Sequence, residues 1–437
     1  MKRMAAARAP CGGQRINDMS DKASGRGNAT TFIVATILID AIGFGIIIPV
    51  LPRLVMEVGR LELADATRMG GWIATAYALM QFLCGPLAGN LGDRFGRRPV
   101  LLLALAGLAV DYVVMGFAPT LAWLFAGRLI AGVFGASFSP ATAALADITA
   151  PEDRARSFGL VGAAFGLGFI IGPALGGLLG EFGHRMPFYA AGLLCAVNFL
   201  FGLLFFPETL PAERRRPFSL ARANPVGALL AARKLRGVLG LAGILLLWNV
   251  ASMVYPATWS YFAIAQYGWS NGMIGFSLAL AGLSMLVVQG VVLGHVIKRM
   301  RERRTAMIGT AVAAAGYLCY ALIPYAWFGL IVVMVTALQA LVQPSVTALM
   351  SKRAPADAQG EMQGFIGSLN SVGAIAAPLL LNPALAYFTA PEAPVHFPGA
   401  AFVIASAFAF AAFLCLAFTR RVRDDEADAQ MPSSTGS

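Results

Sequence analysis

Twelve apolar stretches, each about 20 residues long, fill most of this 437-residue chain and limit what it can become. An α-helix rises 1.5 Å per residue, so about 20 apolar residues cross a hydrocarbon layer roughly 30 Å thick. Lipid offers no partner to a backbone N–H or C=O, which leaves helices that satisfy their own hydrogen bonds. The stretches fall near 30–52, 69–91, 98–118, 120–143, 155–180 and 187–207, and then near 238–264, 271–296, 304–325, 327–350, 359–388 and 398–419. They predict an all-α membrane protein with twelve transmembrane helices. The longest polar gap, 208–237, divides them into two bundles of six, 30–207 and 238–420, joined by a linker. Residues 1–29 and 421–437 read as tails without fixed structure, and Met19 reads as an alternative start. Composition agrees: 13% of residues are charged, where soluble domains carry about 25%.

Charge placement sets the expected orientation. The chain carries 33 Lys and Arg against 22 Asp and Glu, a net charge of +11 that in a soluble protein would suggest nucleic acid. Here 28 of the 33 fall in the two tails and in the gaps after even-numbered spans, which share one side of the membrane. Arg53, Arg60, Arg68 and Arg185 occupy the opposite loops, and Arg128 lies inside a span. The positive-inside rule then puts both termini in the cytoplasm, with the chain in the inner (plasma) membrane. The expected partners are the lipid bilayer, protons and a small-molecule substrate, with no nucleic acid, and the chain is expected to act as a monomer. No cysteine or histidine spacing suggests a metal, and His184, His295 and His396 sit in separate loops without a nucleophile, so an enzyme is not expected.

Ionisable residues inside spans are costly and point to function. Asp40 lies about ten residues into the first span, Asp111 about twelve into the third and Arg128 about eight into the fourth, all near the middle layer. A carboxyl there can load a proton on one side and release it on the other, with Arg128 displacing or stabilising its charge. The alternative is a static ion pair that holds helices together. Spans seven to twelve have no deep charge. Asp93, Arg94, Arg97, Arg98 and Asp147, at the cytoplasmic ends of spans, read as a charge network that latches the halves, or as solvated anchors. Gln81, Asn249, Gln289, Gln339, Gln343 and Asn370 are polar positions able to line a cavity or to bond helix to helix. GNLGDRFGRR at 89–98 is echoed by GHVIKRMRER at 294–303, at the same place in each half, as expected of two pseudo-symmetric repeats.

These segments resemble a known family. GNLGDRFGRRP at 89–99 resembles the loop signature of the major facilitator superfamily. Gly159, Gly168, Gly172, Pro173, Gly176 and Gly177 resemble the fifth-helix pattern of its drug/proton antiporters, and Arg128 with LIAG resembles the fourth-helix motif associated with proton coupling. LIDAIGFGIIIPVLP at 38–52, YALMQ at 77–81, LAGLAVDY at 105–112 and GRLIAG at 127–132 are similar to the tetracycline exporters. The resemblance implies the major facilitator fold, functional roles for Asp40, Asp111, Arg128 and Gln81, and no cofactor, the proton gradient supplying the energy. In alignment, the exporters' eighth-helix histidine falls on Met285 and their ninth-helix aspartate on Ala313. Neither Met nor Ala accepts a proton or binds a hard cation. The expected cargo is a drug-like or lipophilic small molecule, these two positions weighing against a tetracycline–metal chelate, held in a cavity lined by Gln81, Asn249, Met285, Gln289 and Gln343. Proton-coupled export is the leading expectation, and import of a metabolite by symport on the same fold is the alternative.

Overall fold

A computed structural model describes residues 12–219, 224, 227, 238–353 and 359–418, with side chains from Ala29 on except at 151 and 155. The expected C-terminal tail and most of the expected linker lie outside the described residues. Helical backbone is already present from Gly12, ahead of the first apolar stretch. Among the described residues every regular element is a helix.

The first bundle comprises α1 (Gly12–Ile47), α2 (Leu51–Gly59), α3 (Leu63–Phe95), α4 (Arg97–Gly116), α5 (Leu121–Phe134), α6 (Phe138–Ile148), α7 (Arg154–Phe182) and α8 (Met186–Phe205). The second comprises α9 (Leu239–Ser252), α10 (Val254–Tyr267), α11 (Asn271–Val287), α12 (Leu293–Leu322), α13 (Ala326–Thr336), α14 (Val342–Arg353), α15 (Gln359–Thr389) and α16 (Ala400–Phe418). Ten stretches among the described residues are long and apolar enough to cross a membrane. One of them, Asn271–Leu322, has 52 residues, about twice what a bilayer needs, and it turns at Arg301, whose φ of 61° lies outside helical space. Dividing it there and adding α3, which carries more polar residues, brings the ten to the twelve of the sequence. The duplication has a backbone counterpart. Gly96 (φ 106°) and Arg301 (φ 61°) stand at the same step of the two echoed segments, seven residues after Gly89 and Gly294.

Several spans break midway. α5 and α6 form one span interrupted at Gly135–Ser137, α9 and α10 another interrupted at Met253, and a π-helical turn over Val288–Val292 joins α11 to α12. Each break frees backbone groups inside a bundle, a feature tolerated where protein or a cavity surrounds it. The second bundle packs around an aromatic core of Tyr255, Trp259, Phe262, Tyr317, Tyr320 and Phe402. Its hydroxyls are satisfied internally: Tyr255 Oη lies 2.8 Å from Thr336 Oγ1, and Trp259 Nε1 donates to Ser277 Oγ at 2.9 Å.

The bundles meet along two seams, α7 against α11 and α3 against α15. Both are tight at one end. A Cβ on Gly275 would lie 2.3 Å from the Pro173 carbonyl, and one on Gly71 would lie 2.8 Å from Asn382 Cβ. Asn271 Nδ2 donates to Gly180 O at 3.1 Å, Asn382 Nδ2 to Thr67 O at 3.0 Å, Arg53 Nη2 to Trp269 O at 3.0 Å and Ser260 Oγ to Ile48 O at 2.8 Å. At the other end the helices part. Among the described residues, no neighbouring helix comes within 4 Å of a Cβ built on Gly85, Gly159, Gly162, Gly290 or Gly294. The bundles therefore splay toward the end that carries the basic loops.

Candidate functional site

The buried charges of the first bundle converge from separate helices. The interruption between α5 and α6 presents Ser137, whose Oγ donates to Asp40 Oδ2 on α1. The other oxygen, Oδ1, is buried without a partner. Asp111 on α4 is 2% exposed, and neither of its oxygens has a hydrogen-bond donor. Arg128 on α5 is 7% exposed, with its guanidinium over the Tyr77 ring, 5.7 Å from the centroid. Its Nη2 lies 3.1 Å from Met115 Sδ, and its Nε has no partner. No ion pair within 4 Å joins Arg128 to either aspartate, so the static pair weighed from the sequence is not formed in this state. Glycine makes the grouping possible, because a Cβ on Gly132 would strike the Tyr77 carbonyl at 2.6 Å. With only hydrogen there, α3 and α5 approach closely enough for Tyr77 to cover the arginine.

Gln81, one turn beyond Tyr77, is exposed. Its Nε2 donates to Tyr77 Oη and to Gly135 O, each at 3.2 Å. In the second bundle, Asn249 Nδ2 and Gln343 Nε2 both donate to Asn370 Oδ1, at 2.9 and 3.1 Å. Three helices of the second bundle, α9, α14 and α15, thus contribute one uncharged amide cluster. Gln289 is exposed on the π-helical turn, and Met285, one turn before it, packs half-buried against Val288, Ala337 and Leu341. Gln339 is buried and accepts a hydrogen bond from Tyr317, which makes it a core residue rather than a cavity wall. Ala313 is fully buried.

The charges at the basic-loop ends of the spans organise around Arg97. Its Nη2 lies 2.7 Å from Asp93 Oδ1 and its Nε 3.2 Å from Asp147 Oδ2. Arg98 Nη2 donates to Leu203 O at 2.7 Å, and Arg94 lies over the Phe95 ring at 5.0 Å. Asp93, Asp147 and Leu203 all belong to the first bundle. Glu208, just beyond α8, accepts from the backbone N–H of Arg97 at 2.8 Å and of Arg98 at 3.3 Å, so a carboxylate sits on the N-terminus of α4, where the helix dipole favours it. Sequence reasoning passed over Glu208, although an acid opening a basic gap was a usable signal. Ser137 and Tyr77 carried no comparable signal, since their roles arise only when helices distant in sequence meet.

The glycine pattern of α7 divides by face. Gly168, Gly172 and Gly176 face α1, and a Cβ on Gly176 would lie 2.0 Å from the Ile46 carbonyl. Gly177 and the Pro173 carbonyl face α11, the Pro173 ring packs beside Gly45 of α1, and Gly159 lies at the open end. One helix thus packs against its own bundle and against the other bundle at once.

A two-bundle helical membrane protein with unpaired charges buried inside one bundle, and bundles that part at one end, has the architecture of a secondary transporter. The model of the Major Facilitator Superfamily matches residues 33–378, and the chain belongs to that family. It is an integral membrane transporter and not an enzyme. The class C tetracycline resistance protein of Escherichia coli is 39% identical over 355 residues, covering 81% of this chain and 89% of that protein. The class B protein of Escherichia coli is 35% identical over 360 residues, covering 81% and 88%. Among solved structures, the human organic anion transporter MFSD10 superposes with a TM-score of 0.65 at 26% identity, covering 90% of this chain and 99% of that one. A bacterial homologue of the lysosomal transporter Spinster, inward-facing and unoccupied, gives 0.69 at 15% identity, covering 90% and 97%, a likeness of fold alone.

Proposed function

We propose that this protein is a proton-coupled antiporter of the inner membrane that exports a drug-like, lipophilic small molecule from the cytoplasm. The observation that carries this reading is the pair Asp40 and Asp111, two carboxyls on different helices with three buried oxygens lacking any partner. A carboxyl without a fixed cation partner is free to take up a proton and give it back, and Arg128 lies within the same group to respond to the change. The resistance proteins named above support export, and the basic loops support cytoplasmic termini, so the open end faces the cytoplasm and receives cargo there. Rocking of the two bundles would present the same midplane residues to the other side. Gln81 and the Asn249–Gln343–Asn370 amides are the proposed substrate contacts, joined by Met285 and Gln289. The second bundle, without a charge deep in its spans, favours a lipophilic cargo over a metal chelate. Arg97, Asp93 and Asp147, with Arg94 and Arg98, are the proposed cytoplasmic latch.

Everted vesicles loaded with a pH-sensitive dye test the coupling. Addition of an exported drug to acidified vesicles should release lumenal protons with wild-type protein. The signal should fall at least about tenfold in Asp40→Asn and in Asp111→Asn. Undiminished proton release in both variants removes the proton-carrier assignment, and proton movement in the same direction as the drug indicates symport.

A further inference from the structure

At the basic end of the first bundle, where α4 begins and α8 ends, Phe95, Arg98, Leu102, Leu203, Glu208 and Arg215 line a shallow, open cavity of about 350 Å³. It lies on the lipid-facing side. Leu103, Val110 and Phe117 on α4 and Val197, Leu200 and Leu204 on α8 are exposed, and in a membrane protein such apolar stripes are covered by lipid tails. The cavity closes the basic end of these stripes. Its floor is apolar, and its rim holds two guanidinium groups. Arg98 spends Nη2 on the Leu203 carbonyl at 2.7 Å, while its Nε is buried without a partner. Arg215 is exposed beside Glu208. Glu208 offsets these cations only in part, because its carboxylate also accepts from the backbone N–H groups of Arg97, Arg98 and Leu210.

We infer that this cavity binds an anionic phospholipid, with the phosphate between Arg98 and Arg215 and an acyl chain along Leu102 and Leu203. Basic pockets between helices at the cytoplasmic boundary suit such headgroups, since phosphate gains a charged partner and the chain remains in hydrocarbon. A free phosphate ion would leave the apolar floor without a role. The bound lipid would bridge the start of α4 to the segment after α8, next to the Arg97 cluster.

Native mass spectrometry of the detergent-purified full chain tests this, with titrations of phosphatidylglycerol, of phosphatidylcholine with the same acyl chains, and of inorganic phosphate. Phosphatidylglycerol should be retained about fivefold or more better than phosphatidylcholine. Arg215→Gln, at an exposed position that does not threaten folding, should weaken phosphatidylglycerol about fivefold. Leu203→Trp, which fills the floor, should weaken both lipids. Equal retention of the two lipids, or phosphatidylglycerol binding that neither variant changes, overturns the inference. Displacement of phosphatidylglycerol by millimolar inorganic phosphate also overturns it, by showing a free-anion site.

Discussion

Asp40, Asp111 and Arg128 were legible as residues because an ionisable side chain deep in an apolar run needs a reason to be there. Their partners were not legible. Ser137 reaches Asp40 only because the fourth span breaks at Gly135–Ser137, and Tyr77 covers Arg128 only because Gly132 lets two helices touch. Outside the spans, Glu57 on α2 shows a charge whose environment can be read directly. His184 Nδ1 lies 3.0 Å from its Oε2, and Arg185 Nε donates to its Oε1 at 3.3 Å. Partial burial raises this carboxyl, but the two contacts outweigh burial and hold it below its ordinary value of 4.5. The ionised form therefore favours the folded state. Its contribution is complete above pH 4.5 and is lost as pH falls through the lowered value. The melting temperature of wild-type protein should drop more steeply on acidification below pH 4.5 than that of Glu57→Gln, and parallel curves would count against this contact.

At the scale of the element, α7 carries the most demanding packing. Gly176 lies so close to the Ile46 carbonyl that an added Cβ would stand 2.0 Å from it, and backbone cannot swing aside as a side chain can. Gly176→Ala should therefore lower the yield of folded protein severalfold in gel-filtration or fluorescence assays, because α1 and α7 must separate. Gly159→Ala, at a position with open space, should leave yield unchanged and serves as the control. Equal yields of the two variants would show that the seam is looser than described. The sequence pattern marked both glycines alike, and only the structure separates the packed position from the open one.

For the whole molecule, the paired seams imply movement. Contacts concentrated at the end away from the basic loops hold the bundles together there, while the ends that carry the basic loops stand apart. Cysteines placed at Gly71 and Asn382, in a background without the native cysteines, put two Cβ positions 2.8 Å apart, shorter than the roughly 3.5–4.5 Å of a disulfide, so the bond forms once the seam eases by about 1 Å. Oxidation should trap this state and stop export, and reduction should restore it. Continued transport by the fully cross-linked protein would show that this seam does not open during the cycle.

Length and apolarity alone determined that the chain is a bundle of membrane-crossing helices, because a backbone in lipid has so few ways to satisfy its hydrogen bonds. The sequence also placed the buried charges in the first half and left the second without any. Tertiary structure decided what those facts meant locally. It paired Asp40 with Ser137 while leaving Asp111 and Arg128 without ion pairs, gathered Asn249, Gln343 and Asn370 into one amide cluster, and sent Gln339 into the core. It also set Glu208 on the N-terminus of α4. Each of these depends on how helices far apart in the chain rotate and approach one another, which is decided by packing around small residues and breaks rather than by the identity of any single residue.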